Sequence, residues 1–220
     1  MKKILPIFGL AFFALVNSSC LGAQADISIR ADGSGRIALE YRVSQMLESM
    51  GRLDGNEGWP AVPVGRADLE RSVARIPGLS LRSFSSREAG NSAGGRDLVT
   101  RAVLEFRDLS ALLAFLDSSG SAASLAQRDG KNTLRIVLLE NAVDDAQSID
   151  GDLLSLMREI SAGYEICFDF NLPRSATLSA SPPQSISSAR IVPAGRKVSF
   201  AIGMGDLVGL EDGLILEIGW

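Results

Sequence analysis

Histidine is absent from all 220 residues. That excludes a Ser-His-Asp triad, a Cys-His nucleophile pair and His-ligated zinc, because each depends on imidazole as base or ligand. Aromatic residues make up only 6% of the chain, with two Trp and two Tyr, so a sugar-stacking cleft flanked by paired carboxylates is poorly supplied. Cysteine occurs only at Cys20 and Cys167. With Cys20 removed or modified, Cys167 has no partner for an intrachain disulfide. No neighbouring base or ligand set marks Cys167 as reactive, and it reads as a small buried apolar residue. Walker A, Gly-x-Ser-x-Gly and Ser-x-x-Lys motifs are missing. Long apolar runs are missing too, apart from the first residues, which excludes a multi-span membrane protein.

Charge of one sign is also scarce in clusters. Lys and Arg number 22 against 26 Asp and Glu, a net −4. Beyond Lys2 and Lys3 the lysines are Lys131 and Lys197, and the remaining cations are dispersed Arg. A dispersed, net-acidic pattern argues against a nucleic-acid partner and against electrostatic docking on anionic lipid. The 46% apolar content is enough for one real core and excludes disorder as the main state.

What the chain does have is an export leader. Lys2 and Lys3 precede an uncharged apolar run from Ile4 to Val16, too short to span a bilayer and suited to a secretory signal peptide. Two cleavage positions compete within a leader of residues 1–25. Ala23-Gln24-Ala25 is an A-x-A site that would leave a soluble chain from Asp26. Ser18-Ser19-Cys20-Leu21 looks like a lipobox, although Asn17 stands where a branched aliphatic residue is usual. Cleavage before Cys20 would make it the lipidated N-terminus, an acylated (palmitate-type) anchor to the inner or outer membrane. Two acyl chains anchor firmly where one does not. Either way the expected location is the periplasm or the envelope.

Residues 26–220 read as a single α+β domain: a mixed or antiparallel sheet with helices packed mainly on one face, starting with a β-hairpin and ending in strands. Asp26 to Arg30 and Arg36 to Ser44 alternate apolar and polar around Asp32-Gly33-Ser34-Gly35, the pattern of a hairpin. Ser44 can cap a short helix ending at Gly51, followed by loop chemistry over 51–65 with a lone Trp59. A helix from about Arg66 to Ile76 presents Leu69, Val73 and Ile76. Strands over 79–88 and 98–106 follow, then a helix capped by Asp108 with Leu109, Leu112, Leu113 and Leu116 on one face. Residues 133–139 (TLRIVLL) read as a central strand covered on both faces. A capped helix over 150–162 and a strand from Tyr164 to Leu172 make 98–172 resemble a split βαβ unit. Strands over 188–192, 198–202 and 214–218 close the chain.

The chemistry-bearing motifs are thin. Gly203-Met204-Gly205-Asp206 fails dinucleotide-loop spacing, has no expected helix after it, and reads as a strand-to-strand turn. Asp54-Gly55-Asn56-Glu57-Gly58 lacks EF-hand order. Asp144, Asp145, Asp150 and Asp152 form the densest acidic group, which a solvated loop and a helix N-cap at Asp150 explain. No catalytic residue, metal ligand or cofactor is assigned. The first expectation is therefore a non-catalytic structural or binding module tethered through Cys20. Its partner would be a lipid, a glycolipid or an envelope protein, with Trp59 as an apolar contact over a groove. The alternative is an Asp/Glu-dependent hydrolase or carbohydrate-active enzyme of the periplasm, drawing on the 144–152 acids.

The leader with Ser18-Ser19-Cys20, the hairpin from Asp26 to Ser44 and the closing run from Phe168 to Trp220 resemble the uncharacterised exported lipoproteins of treponemes and related spirochaetes. The closing run, with Leu172-Pro173 and a final Leu-x-Leu-x-Ile-x-Trp strand, is also similar to mycobacterial LppM-type lipoprotein domains. That resemblance implies an envelope-facing α+β domain suspected of handling lipid or glycolipid. It carries over no functional residue.

Overall fold

The computed structural model describes residues 21–44, 66–90, 95–117, 121–139, 155, 161, 163–181, 189–208, 210 and 213–220. The opening hairpin forms where the alternation places it, but its first strand starts earlier. Strand β1 (Leu21–Ile29) pairs antiparallel with β2 (Gly35–Ser44), with Ile27 opposite Ile37. Ala25, Ile27 and Ile29 are buried on one face with Ile37, Tyr41 and Val43. Gln24, Asp26 and Ser28 lie on the other, as the two-residue period requires. In the turn, the Asp32 carboxylate accepts hydrogen bonds from the Ser34 hydroxyl (2.7 Å) and backbone N–H (3.0 Å), and these hold the carboxyl below its usual range. Gly35 is required by close approach: a Cβ there would meet the Ser28 carbonyl oxygen at 2.1 Å and the Phe106 ring at 2.2 Å.

Helix α1 (Arg66–Val73) buries Leu69 and Val73, as its periodicity predicts. Strands β3 (Leu79–Gly90) and β4 (Arg96–Phe106) pair antiparallel, and β4 also pairs with β2. Helix α2 (Leu109–Leu116) starts at Asp108, whose Oδ1 accepts from the Ala111 N–H at 2.9 Å. Its buried stripe is Ala111, Leu112, Phe115 and Leu116, with Leu109 and Leu113 at the margin. The expected stripe is thus rotated, because the core beside α2 admits the Phe115 ring.

Strands β5 (Ala123–Arg128) and β6 (Lys131–Leu139) form a hairpin across Asp129-Gly130, both at positive φ (51° and 73°), the backbone that a two-residue hairpin turn needs. Strands β7 (Glu165–Asn171), β8 (Thr177–Ser181), β9 (Arg190–Ala194) and β10 (Lys197–Gly203) follow, then helix α3 (Met204–Val208) and β11 (Leu214–Gly219). A seven-stranded mixed sheet runs β3-β4-β2-β1-β7-β10-β9, and a four-stranded antiparallel sheet runs β5-β6-β11-β8. In the large sheet β1 and β7 are parallel. The architecture is α+β with strands dominant and helices few.

Three expectations change. β6 is covered on one face only: Leu134, Ile136 and Leu138 are buried, whereas Arg135 and Val137 between them are half-buried. The stretch from β4 to β7 is not a βαβ unit in one sheet, because β5 and β6 belong to the small sheet. Leu134, Ile136, Leu216 and Ile218 of the small sheet join Ile27, Leu104, Phe168 and Phe200 of the large sheet in one core, together with Leu69 and Val73 of α1 and Leu112 and Leu116 of α2. Each such side chain stabilises the fold by about 1.5–3 kcal/mol relative to exposure. Finally, Gly203 leads into a helix and not a plain turn, since Met204 and Leu207 drop fully into that core. The closing strand β11 is an interior member of the small sheet, between β6 and β8. The helices expected over 44–51 and 150–162 and the loop over 51–65 fall wholly or largely outside the described residues.

Candidate functional site

Strand alternation puts the polar partners of the core residues onto the outer face of the large sheet. Gln24 of β1 sits between Glu40 of β2 and Cys167 of β7, and Asp26 between Ala38 and Asp169. Farther along, Ser28 lies between Arg36 and Asn171. The Ser28 hydroxyl and the Asn171 amide both donate to Asp26 Oδ1, at 3.3 and 3.5 Å. The Ser199 hydroxyl of β10 donates to Asp169 Oδ1. Two carboxylates therefore stand on adjacent strands, each held by neutral donors.

Glu40 takes two cations. Arg101 Nε of β4 lies 2.6 Å from its Oε2 and the Arg42 guanidinium 3.0 Å from its Oε1. Partial burial pushes the Glu40 carboxyl up, but the hydrogen bonds from Arg101 and Arg42 outweigh burial and hold it below its ordinary value.

At the end of the sheet where β1 begins, this face opens into a cavity of about 350 Å³ lined by Gly22, Gln24, Glu40, Arg42, Tyr164, Glu165 and Cys167, among others. A Cβ at Gly22 would stand 3.4 Å from the Tyr164 ring, in ordinary van der Waals contact. Tyr164 is fixed at both ends: its carbonyl accepts from the Met204 N–H at 2.9 Å, and its hydroxyl donates to Oδ1 of buried Asp97 at 2.9 Å. Cys167 is half-buried on this polar face instead of in the core, with Sγ 3.8 Å from Glu165 Oε2. Burial, reinforced by the carboxylates of Glu165 and Asp169, pushes its thiol up, so it stays protonated at neutral pH and is a poor nucleophile. On the opposite, core face, burial pushes Tyr41 up to about 12, against a hydrogen bond to Thr100 that acts the other way.

The residues singled out from the sequence are not brought together here. Cys20, Trp59, Asp144, Asp145, Asp150 and Asp152 lie outside the described residues, Cys20 immediately before β1. Among the described residues no group of three or more Asp, Glu or Cys side chains is placed to hold a metal ion. None of their helices is long and apolar enough to cross a membrane. Sequence reasoning missed Gln24, Asp26, Glu40, Asp97, Tyr164 and Asp169 as neighbours. Their alternation was readable, but the pairing of β1 with a strand from the far half of the chain was not.

No protein-family model matches the chain, and no curated protein matches it in sequence. The resemblance to spirochaete lipoproteins is therefore without a family match. Among solved structures, the NMR structure of the folded domain of Mycobacterium tuberculosis LppM is weakly similar, at 14% identity over 90% of this chain and 88% of that one, with a TM-score of 0.45.

Proposed function

We propose that this is an exported, non-catalytic binding module of the cell envelope that takes a lipid or glycolipid at the cavity where β1 begins. The observation that carries the reading is the cavity itself. Its lining mixes small and aromatic surface (Gly22, Ala23, Tyr164, Cys167) with Gln24, Glu40 and Arg42, a combination suited to the neck of an amphipathic molecule. Its one thiol is held protonated, which favours binding over nucleophilic chemistry. The export leader supplies the location.

Native mass spectrometry of the delipidated protein, mixed with envelope lipid extract, tests this. The wild type should retain an adduct, and Gln24→Trp, which fills the cavity, should lose it. No adduct on the wild type would sink lipid binding and leave a structural or protein-interaction role.

A second reading, a carboxylate-dependent hydrolase, now draws on Asp26 and Asp169 in place of the 144–152 acids, because these two are register neighbours on parallel strands. Hydrolysis of a glycoside or ester panel by the wild type, abolished in Asp26→Asn and in Asp169→Asn, would favour it. No turnover by the wild type would remove it.

A further inference from the structure

The two competing leader cleavage positions differ in whether residues 20–25 stay on the mature chain, and the register of β1 separates them. On one side of β1, Leu21 to Ala25 pair with Val43 back to Leu39 of β2. On the other side, Ala23, Gln24 and Ala25 pair with Ile166, Cys167 and Phe168 of β7. β1 is an interior strand, with three strands of the sheet on either side. Ala25 is itself a core residue, 5% exposed.

Cleavage after Ala25 would remove the first half of this strand. The facing halves of β2 and β7 would then present backbone N–H and C=O groups to a gap inside a sheet. Such groups are costly to leave unpaired where water is excluded. The cut would also place the new ammonium of Asp26 between two strands, beside a core position. A domain of ordinary marginal stability has little reserve against a loss of that kind. Cleavage before Cys20 removes nothing from β1.

We infer that leader removal falls at the Ser19–Cys20 bond and not after Ala25, so that the whole of β1 is kept. The inference rests on the export reading. The chemistry is a thioether formed between Cys20 Sγ and the glyceryl group of a membrane phospholipid, whose phosphate-bearing headgroup leaves with the thiol proton. A signal peptidase then uses one water to hydrolyse the Ser19–Cys20 peptide bond, leaving the Ser19 carboxylate on the leader and a free amine on Cys20.

The test is N-terminal peptide mapping by mass spectrometry of the full-length protein recovered from the envelope of a Gram-negative host. The expected N-terminal peptide begins at Cys20, carries a diacylglyceryl mass and retains residues 21–25. An exported chain beginning at Asp26 overturns the inference while leaving export intact. An uncleaved chain confined to the cytoplasm overturns both. In a second arm, Cys20→Ser should not accumulate as a stable protein beginning at Asp26. A protease-resistant Asp26 chain at wild-type abundance overturns the inference.

Discussion

The large sheet joins charges across its strands, in the Glu40 group and in the Arg82–Glu105 and Arg96–Glu88 pairs, whereas on the small sheet the charged residues stand in register with no ion pair among the described residues. On the large sheet, Glu40 joins Arg42 and Arg101 across β2 and β4, and Asp26 and Asp169 share a band of Ser and Asn donors across β1, β7 and β10. On the small sheet, Glu217 of β11 faces Arg135 of β6 and Ser179 of β8 in register, and Glu217, Ser179 and Ser124 are exposed. On the large sheet Asp26, Glu40, Cys167 and Asp169 are half-buried beside exposed Gln24, Arg42 and Arg101. Their inner faces do not differ in kind, since both contribute aliphatic and aromatic side chains to one core. Packing therefore treats the sheets alike, and the chemical individuality of the protein lies on one outer face, where partial desolvation strengthens charge and hydrogen-bond interactions.

The shared core is the part of this comparison with the largest energy at stake. Phe168→Ala in β7 is expected to cost about 4 kcal/mol and Leu216→Ala in β11 about 3 kcal/mol. Both should shift the urea midpoint of a single cooperative transition. A second transition appearing only in Leu216→Ala would break the one-core reading and make the small sheet a separate unit.

Gly35→Ala should cost about 3 kcal/mol through its clash with the Ser28 carbonyl and the Phe106 ring. Gly195→Ala is the contrast, because a Cβ there meets nothing within 4 Å and the cost is that of the backbone at φ 64° alone. Thermal unfolding of the pair separates sterics from backbone strain, and equal losses would refute the close approach at Gly35.

Smaller effects separate the outer faces. Glu40→Gln should destabilise by about 1 kcal/mol and Glu217→Gln by less than about 0.5 kcal/mol, since an exposed carboxylate without a close ion-pair partner contributes little. The folded Glu40 carboxyl is held below its ordinary value, so its contribution is present above the ordinary Glu range and is lost as pH falls through the lowered value. The gap between wild type and Glu40→Gln should thus close on acidification. A gap that persists in strong acid would show that the loss is packing, not charge. Smallest in energy but sharp in readout, Cys167 should alkylate at neutral pH more slowly in the folded protein than after unfolding. Equal rates would contradict the burial and carboxylate neighbours that raise its thiol.

Much of the local structure was legible. Asp32-Gly33-Ser34-Gly35 between alternating runs marked the first hairpin, and Asp108 before an aliphatic stripe marked α2. Leu21 to Ala25 were harder to read, because small and apolar residues there serve equally as the end of a leader and the start of a strand. β5 was missed although Asp129-Gly130 signals its hairpin turn, since ASLAQR carries only Ala123 and Leu125 as inward residues. Of the candidate site, single polar positions were visible but not their company.

By itself, then, the sequence determined the lack of imidazole chemistry, the cap at Asp108, the first hairpin turn, and which residues of the strands it marked by alternation face inward. These depend on interactions within a few residues, where side-chain period and backbone preference act directly. Only the tertiary structure decided which strand joins which sheet. It set β1 beside β7, with Asp26 bonded to Asn171 at a sequence separation of 145, and so assembled the cavity and the carboxylate band. Strands of both sheets carry the same two-residue alternation, and alternation says which face is buried but not against what. That choice belongs to the packing of the whole core, whose energy no short window of sequence contains.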